Sequence, residues 1–570
     1  MLVGRFNYKM CGCYRKISLA ISALPSLASS LLILPPSFIS KRCHHHTEHI
    51  NSCSRSATIK YAHKNDAVSA EYYDKYVLEW KEDTLIDGIK ATNIKSKSNT
   101  VNDDGHLFNA ALFSTSKAWG RRPFLLRNAF DPDKLMILDD DISVHEADDD
   151  NDDGEFGPWP SWQDVVDIAT DEDAESRVIS HIPGDYSTFD IKWGALSDAK
   201  FDEWLSKETE ADAMSNPKAE HAQKETLVVN DIDRFHPPLA DWINDTFNFI
   251  PNWRMDDGQI SLAEVNGGIG PHVDNYDVFL IQMNGSRTWQ VGKRKIDAIE
   301  ERDRLIDGID VRVLSDWKYE QDEDNTQVEE WVLNPGDMLY LPPRVPHCGI
   351  ALSAGCMTLS VGCRAPSVSD LVSRLAERLS NSVEDVAVKR YTDDDLLNDG
   401  SRENFSPGEI TAKAKEDAKH LVLNALRNMM DDDSVWDEFF GRYVTEPKRL
   451  RNNYPIPLED DDECDGPTVE DVLNGCGMLY HAEGICFSYS EVKSQGLSET
   501  ATTIYRLFVN GEMWKSDSAD DGMLYQTIAN NRMLDGPVML ESIENDGRRE
   551  KKLEFLKKLV SLGFLYGSEE

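Results

Sequence analysis

His272 and Asp274 stand one residue apart in the stretch Gly267 to Trp289, GGIGPHVDNYDVFLIQMNGSRTW. On extended backbone, residues two apart point to the same face, so an imidazole and a carboxylate placed this way can hold one metal ion. His347, in LPPRVPHCGIAL, follows a proline turn far along the chain and could bring a third ligand from another strand. Three such ligands occupy one face of an octahedron and leave the other open, the arrangement of non-heme Fe(II) oxygenases, although the same donors suit zinc or manganese. Arg287 lies 15 positions beyond His272, where a guanidinium could hold a co-substrate carboxylate through a bidentate pair. A lone His-x-Asp carries little weight, because about one is expected by chance among 14 histidines in so acidic a chain. This one has context: a Gly-Gly-x-Gly-Pro lead-in, an apolar run behind it, and a histidine after a proline turn.

The elements around these residues read as β-structure. From Thr226 to Leu359, short apolar runs alternate with Gly, Pro and Asn. YDVFLIQM, Asn284-Gly285 and SRTWQVG predict a hairpin, since Asn-Gly favours a tight turn. EEWVL from Glu329, the turn Asn334 to Asp337, and MLYL from Met338 predict a second. MTLSVG, Met357 to Gly362, adds a strand, and the set suits a jelly roll or cupin barrel. After Pro366 the period becomes helical, with Val368, Leu371, Val372, Leu375 and Leu379 on one face behind a Ser367 N-cap. A second helix is expected from Ile410 to Met430. The block from Pro467 to Glu570 mixes strands such as TTIYRLFV with a helix near Arg549 to Leu562, ended by Gly563.

Composition separates the first 65 residues from the rest. The whole chain of 570 residues carries −42. Residues 1–65 hold nine Lys or Arg against one acid, or +8, so the remainder carries −42 minus 8, or −50. A basic, serine-rich, nearly acid-free leader is the composition of an organelle transit peptide, alone or behind a signal peptide, and favours a mitochondrion or plastid. Its apolar run, Ile17 to Leu34, contains Pro25 and ends at Pro35-Pro36, which argues against a membrane span. Four of ten cysteines lie in the leader and the other six show no paired framework, so no structural disulfides are expected. Residues 66–116 read as a linker, partly disordered, and the first core as beginning at WGRRPFLLRNAF, from Trp119. The acidic tract Ala147 to Glu155 reads as a solvated loop without the calcium-loop pattern. An acidic chain repels nucleic acid and anionic membranes and attracts basic partners; from Asp465 onward, ten Lys or Arg face eighteen Asp or Glu, against direct DNA binding.

Taken together, GGIGPHVDNYDVFLIQMNGSRTW, NPGDMLYLPPRVPHCGIAL and SVGCRAP closely resemble the bacterial ribosomal oxygenases of the JmjC-type cupin class, 2-oxoglutarate-dependent arginine hydroxylases of a large-subunit ribosomal protein. The resemblance extends back to WGRRPFLLRNAF and NWRMDDGQISLA and forward through FGRYVTEPK, roughly Lys117 to Tyr566. It implies an α+β architecture: a double-stranded β-helix over 117–365, a helical dimerisation region over 366–450 and a winged-helix domain over 465–570. It implies Fe(II) held by His272, Asp274 and His347, 2-oxoglutarate met by Arg287 and Ser261, O2 as oxidant, a basic ribosomal protein as substrate, and a homodimer. Relatives that hydroxylate histidine usually carry Lys at the position of Arg287, so the arginine branch is favoured. The chain departs from the bacterial pattern in its leader, in its acidic insertions at Ala147 to Glu155 and Glu320 to Asp324, and by one extra residue between His347 and Ser360. That residue loosens the alignment of the strand carrying Thr358 and Ser360. A histidine hydroxylase or protein demethylase with the same metal site, and a non-catalytic cupin that binds peptide, are the alternatives; the complete triad argues against the last.

Overall fold

The computed structural model describes residues 108, 113, 117–134, 158–207, 222–306, 312–315, 328–381, 389–392, 408–447, 466–493, 502–536, 539 and 549–568, all within one unit, Leu78–Glu570. The expected leader and the acidic tracts at 147–155 and 320–324 lie outside them. The β-rich stretch forms two antiparallel sheets. The larger runs in the order β1 (Phe124–Leu126), β9 (Met338–Leu341), β6 (Asp277–Asn284), β11 (Cys356–Cys363), β5 (Met255–Ala263), β4 (Lys224–Val229), β2 (Ser176–Ile182), β3 (Asp185–Trp193). The smaller runs β10 (His347–Ala351), β7 (Arg287–Gly292), β8 (Val328–Leu333). Leu125, Val278, Leu280 and Leu339 of the first sheet share one buried cluster with Trp289, Val291 and Leu333 of the second. The sheets therefore face each other as the walls of a cupin-type barrel.

β6 shows why DVFLIQM lacks the usual alternation. Val278 and Leu280 face the barrel interior. Phe279, Ile281 and Met283 face outward into a larger core shared with helices α1 (Trp162–Ile168) and α3 (Pro237–Thr246). Both faces are covered, so both sets of positions must be apolar.

Neither expected hairpin forms. The turn after Asn284 is present, with Gly285 at φ 61°, but β6 pairs with β9 and β11 while β7 pairs with β10 and β8. The second turn likewise sends β8 to the small sheet and β9 to the large one. Each turn passes the chain between the walls. The physical reason is that Val278 and Leu280 bury more apolar area by facing Trp289 and Val291 across the interior than by lying beside them in one sheet.

The linker expectation also needs correction at its end. Phe108 and Phe113 are both buried, and their rings pack on Phe279 at 6.2 and 5.3 Å between centroids. The core thus recruits aromatics from residues 66–116, where isolated phenylalanines in a polar stretch leave no periodic trace.

Beyond the barrel, α4 (Ala298–Arg304) precedes β8, and α5 (Val368–Asn381), α6 (Ala412–Met430) and α7 (Asp433–Thr445) follow β11. Ser367 and Asp370 cap α5 reciprocally through side chain and backbone. Leu375 packs with Met429 and Phe439, with Leu371 and Leu379 beside them. Val368, Val372, Ile410, Val422 and Met430 remain exposed. The last block builds sheets β16 (Met533–Asp535), β12 (Met478–His481), β17 (Leu565–Ser568) and β13 (Phe487–Lys493), β14 (Thr503–Val509), β15 (Glu512–Ser516), around α8 (Val469–Leu473), α9 (Ala519–Asn530) and α10 (Arg549–Ser561). Arg532 fastens this block to the barrel, bonding Asp241 of α3, Glu483 at 2.7 Å and the His481 carbonyl at 2.9 Å. Among the described residues no helix is long and apolar enough to cross a membrane.

Candidate active site

The structure brings His272, Asp274 and His347 together, their ligand atoms all within 4.8 Å of one another. His347 begins β10. His272 and Asp274 belong to no strand: His272 forms a single bridge with His347, and Asp274 sits in the loop before β6. The same-face argument therefore holds at the bridge but not along a continuous strand. Asp274 Oδ2 lies 3.5 Å from His347 Nε2, and Oδ1 lies 4.0 Å from His272 Nε2. Ligands at about 2.1 Å from one ion and at right angles to each other would be roughly 3 Å apart, so a small inward adjustment suffices.

Hydrogen bonds fix which imidazole nitrogens are available. His272 Nδ1 lies 2.9 Å from the Gly270 carbonyl and His347 Nδ1 lies 3.0 Å from the Val345 carbonyl. A carbonyl only accepts, so each Nδ1 carries the proton and each Nε2 presents a lone pair toward Asp274. Burial, with neighbouring His272 adding to it, holds the His347 imidazole down at about 4. It is held neutral, the state that binds metal.

Deeper in the barrel, Arg287 of β7 is buried and reaches across to the other sheet, where Nη1 donates to Ser261 Oγ of β5 at 3.1 Å. Nε points at Cys356 Sγ, 3.5 Å away. Nη2 is buried with no hydrogen-bond partner. A buried guanidinium is costly without a counter-charge, and an unsatisfied donor costs more, so this residue fits a small carboxylate entering the barrel. Thr358 of β11 lies opposite Ser261 in register and donates to Gln282 at 2.8 Å, while Ser360 lies opposite Gln259.

Sequence reasoning missed the residue between the two halves of the site. The Trp289 ring lies 5.7 Å from the His347 ring and 5.9 Å from the Arg287 guanidinium carbon, and its Nε1 is a second buried donor without a partner. Its indole also explains Gly349, where a Cβ would stand 2.9 to 3.1 Å from the ring. Position two beyond Arg287, on the same strand face, was the signal that could have found it.

A His-x-Asp and a distant His gathered on a β-helix of this connectivity is the arrangement of the JmjC class of oxygenases, and residues 243–371 match the JmjC domain. The chain is 27% identical over 404 residues, 71% of its length and 86% of the relative's, to a probable ribosomal oxygenase of Haemophilus influenzae. It is 26% identical over 318 residues, 55% and 73% of the two lengths, to the ribosomal protein uL16 3-hydroxylase of Escherichia coli. The chain thus carries a JmjC domain and is similar over most of its length to ribosomal oxygenases of that class. The E. coli ribosomal oxygenase YcfD, solved with cobalt and 2-oxoglutarate, shares the fold at a TM-score of 0.52 and 22% identity, covering 81% of this chain and 99% of that one.

Proposed function

We propose that this protein is an Fe(II)- and 2-oxoglutarate-dependent hydroxylase that adds one oxygen atom to an arginine side-chain methylene of a large-subunit ribosomal protein, the uL16 counterpart of a mitochondrion or plastid. The observation that carries the reading is the union of a triad able to face one metal with a buried, half-unpaired Arg287 in the same barrel. His272, Asp274 and His347 would hold the iron, and Arg287 with Ser261 the distal carboxylate of 2-oxoglutarate. When bound, iron with 2-oxoglutarate and O2 supplies the oxidising power, and the co-substrate leaves as succinate and CO2.

The chain's own residues position and protect. The two Nδ1 to carbonyl bonds orient the imidazoles. Trp289, buried, stands between His347 and Arg287. Arg287 would gain from the co-substrate carboxylate the counter-charge that its burial calls for.

A basic substrate suits a chain of net charge −42, and the name of the E. coli relative supports uL16. Arg287 in place of Lys supports arginine over histidine. The reading includes a homodimer through α5 and α6, a winged-helix role for the last block and a leader that directs import. The deciding experiment is mass spectrometry of organelle ribosomes with and without this protein. A single +16 Da arginine lost with the protein is expected; loss from a histidine, or no change, would overturn the substrate.

A further inference from the structure

Six non-glycine residues among those described adopt a left-handed φ, and four of them are Asn or Asp, which tolerate it. Arg344 is different. It holds φ 71° three residues before His347, at a position where glycine would be free of strain. Such a conformation persists only where its surroundings over-determine it.

They do so here from both sides. The Arg344 backbone N–H donates to the Asp274 carbonyl at 2.8 Å, and its own carbonyl accepts from Ile296 at 2.9 Å. Its Nε donates to the Ile296 carbonyl at 3.0 Å and its Nη1 to Asn275 Oδ1 at 3.1 Å. The guanidinium also meets the carboxylate of Glu301, a residue of α4 with no exposed surface. Arg312 reaches the same carboxylate at 2.5 Å from the surface.

Asp274 needs such a hold. His272 and His347 are fixed by their mutual main-chain bridge, whereas Asp274 lies in the loop before β6. Arg344 grips that loop at Asp274 and at Asn275, and Glu301 fixes the grip.

We propose that Arg344, anchored by Glu301, is the positioning residue that holds Asp274 in ligand geometry, and that the left-handed strain at residue 344 is retained for this purpose. The inference rests on the triad being a metal site. It makes α4, a helix outside the barrel wall, part of the machinery that sets metal affinity.

The test is a cobalt(II) titration of the metal-free full chain by visible absorption, beside its thermal unfolding midpoint. Arg344→Gly relieves the backbone but removes the fork from a buried carboxylate, so a folded chain with a lowered midpoint is expected, together with cobalt affinity about 10- to 100-fold weaker at a temperature where the chain is fully folded, the usual effect of losing a residue that supports a ligand. Glu301→Gln should weaken cobalt in the same direction, and the double variant should be no weaker than the weaker single, since the two act as one unit. Arg344→Gly binding cobalt as wild type does would overturn the proposal. Should that variant fail to fold, Glu301→Gln with wild-type affinity would overturn it equally. A wild-type chain that binds no cobalt would instead overturn the metal reading itself.

Discussion

The main chains of His272 and His347 are hydrogen-bonded to each other in both directions, at 3.0 and 2.9 Å. Two ligand-bearing segments 75 residues apart in sequence are thus opposed as one rung of an antiparallel ladder. The spacing of the imidazoles follows from backbone geometry and not from the bound ion.

That prearranged rung predicts a fold that survives loss of a ligand. His272→Ala, Asp274→Ala and His347→Ala should each lower succinate formation by more than about 100-fold, with far-ultraviolet circular dichroism unchanged. Chelation should do the same to wild type, reversibly with Fe(II). Wild-type turnover by Asp274→Ala would sink the assignment.

Arg287 should separate binding from chemistry. Replacing it by Ala removes a charge-assisted bond of about 1.5–3 kcal/mol, so the KM for 2-oxoglutarate should rise roughly 10- to 100-fold while the rate at saturation changes less. Ser261→Ala should raise it only a few-fold by the same logic, as a neutral bond is worth about 1 kcal/mol. Initial rates across co-substrate concentration distinguish the two.

The helical region supplies a third outcome. Leu375 and Leu379 serve the intrachain core with Met429 and Phe439, so a polar residue there should unfold the region and not merely divide a dimer. Val372 and Val422 are 56% and 58% exposed and are the positions where Val372→Glu and Val422→Glu should leave a folded monomer. Light scattering across a wide concentration range reads the mass.

His481 sets a pH dependence in the last block. It is buried, stacked on Phe487 at 3.7 Å and bonded through Nε2 to the Ile528 carbonyl at 2.8 Å. Burial, with Arg532 adding, holds its imidazole down at about 3. The unfolded chain then binds the proton first, so this stability is whole above pH 6.5 and falls as pH drops toward 3. The loss is about 1.4 kcal/mol per unit, or roughly 2 kcal/mol by pH 5. Denaturant unfolding at pH 7 and 5 should show it, and His481→Gln should shrink the difference by that amount, leaving the part due to other buried histidines such as His347.

The triad and Arg287 were legible because their chemistry is local in type: a His-x-Asp after glycines, a histidine after prolines and an arginine opening a strand are visible one segment at a time. The order of barrel, helices and mixed block was legible from the change of hydrophobic period. The two turns were seen and misread, because Asn284-Gly285 reports a reversal but not which sheet receives the returning strand. Arg344 and Glu301 were invisible for a related reason. Nothing in either neighbourhood signals a contact across 43 positions, and an arginine at left-handed φ looks in sequence like any other. Phe108 and Phe113 were lost in a polar stretch because two anchors make no period.

The turn between β6 and β7 also constrains how this chain can change length. Side chains alternate along a strand, so one residue inserted between Asn284 and Arg287 would turn the arginine out of the barrel and put its neighbour inside. No repacking of Trp289 could compensate, because Trp289 would rotate with it. Insertions and deletions should therefore be absent at this corner in any working descendant, and a library of single-codon insertions across the gene should show here a gap as sharp as at His272 and His347.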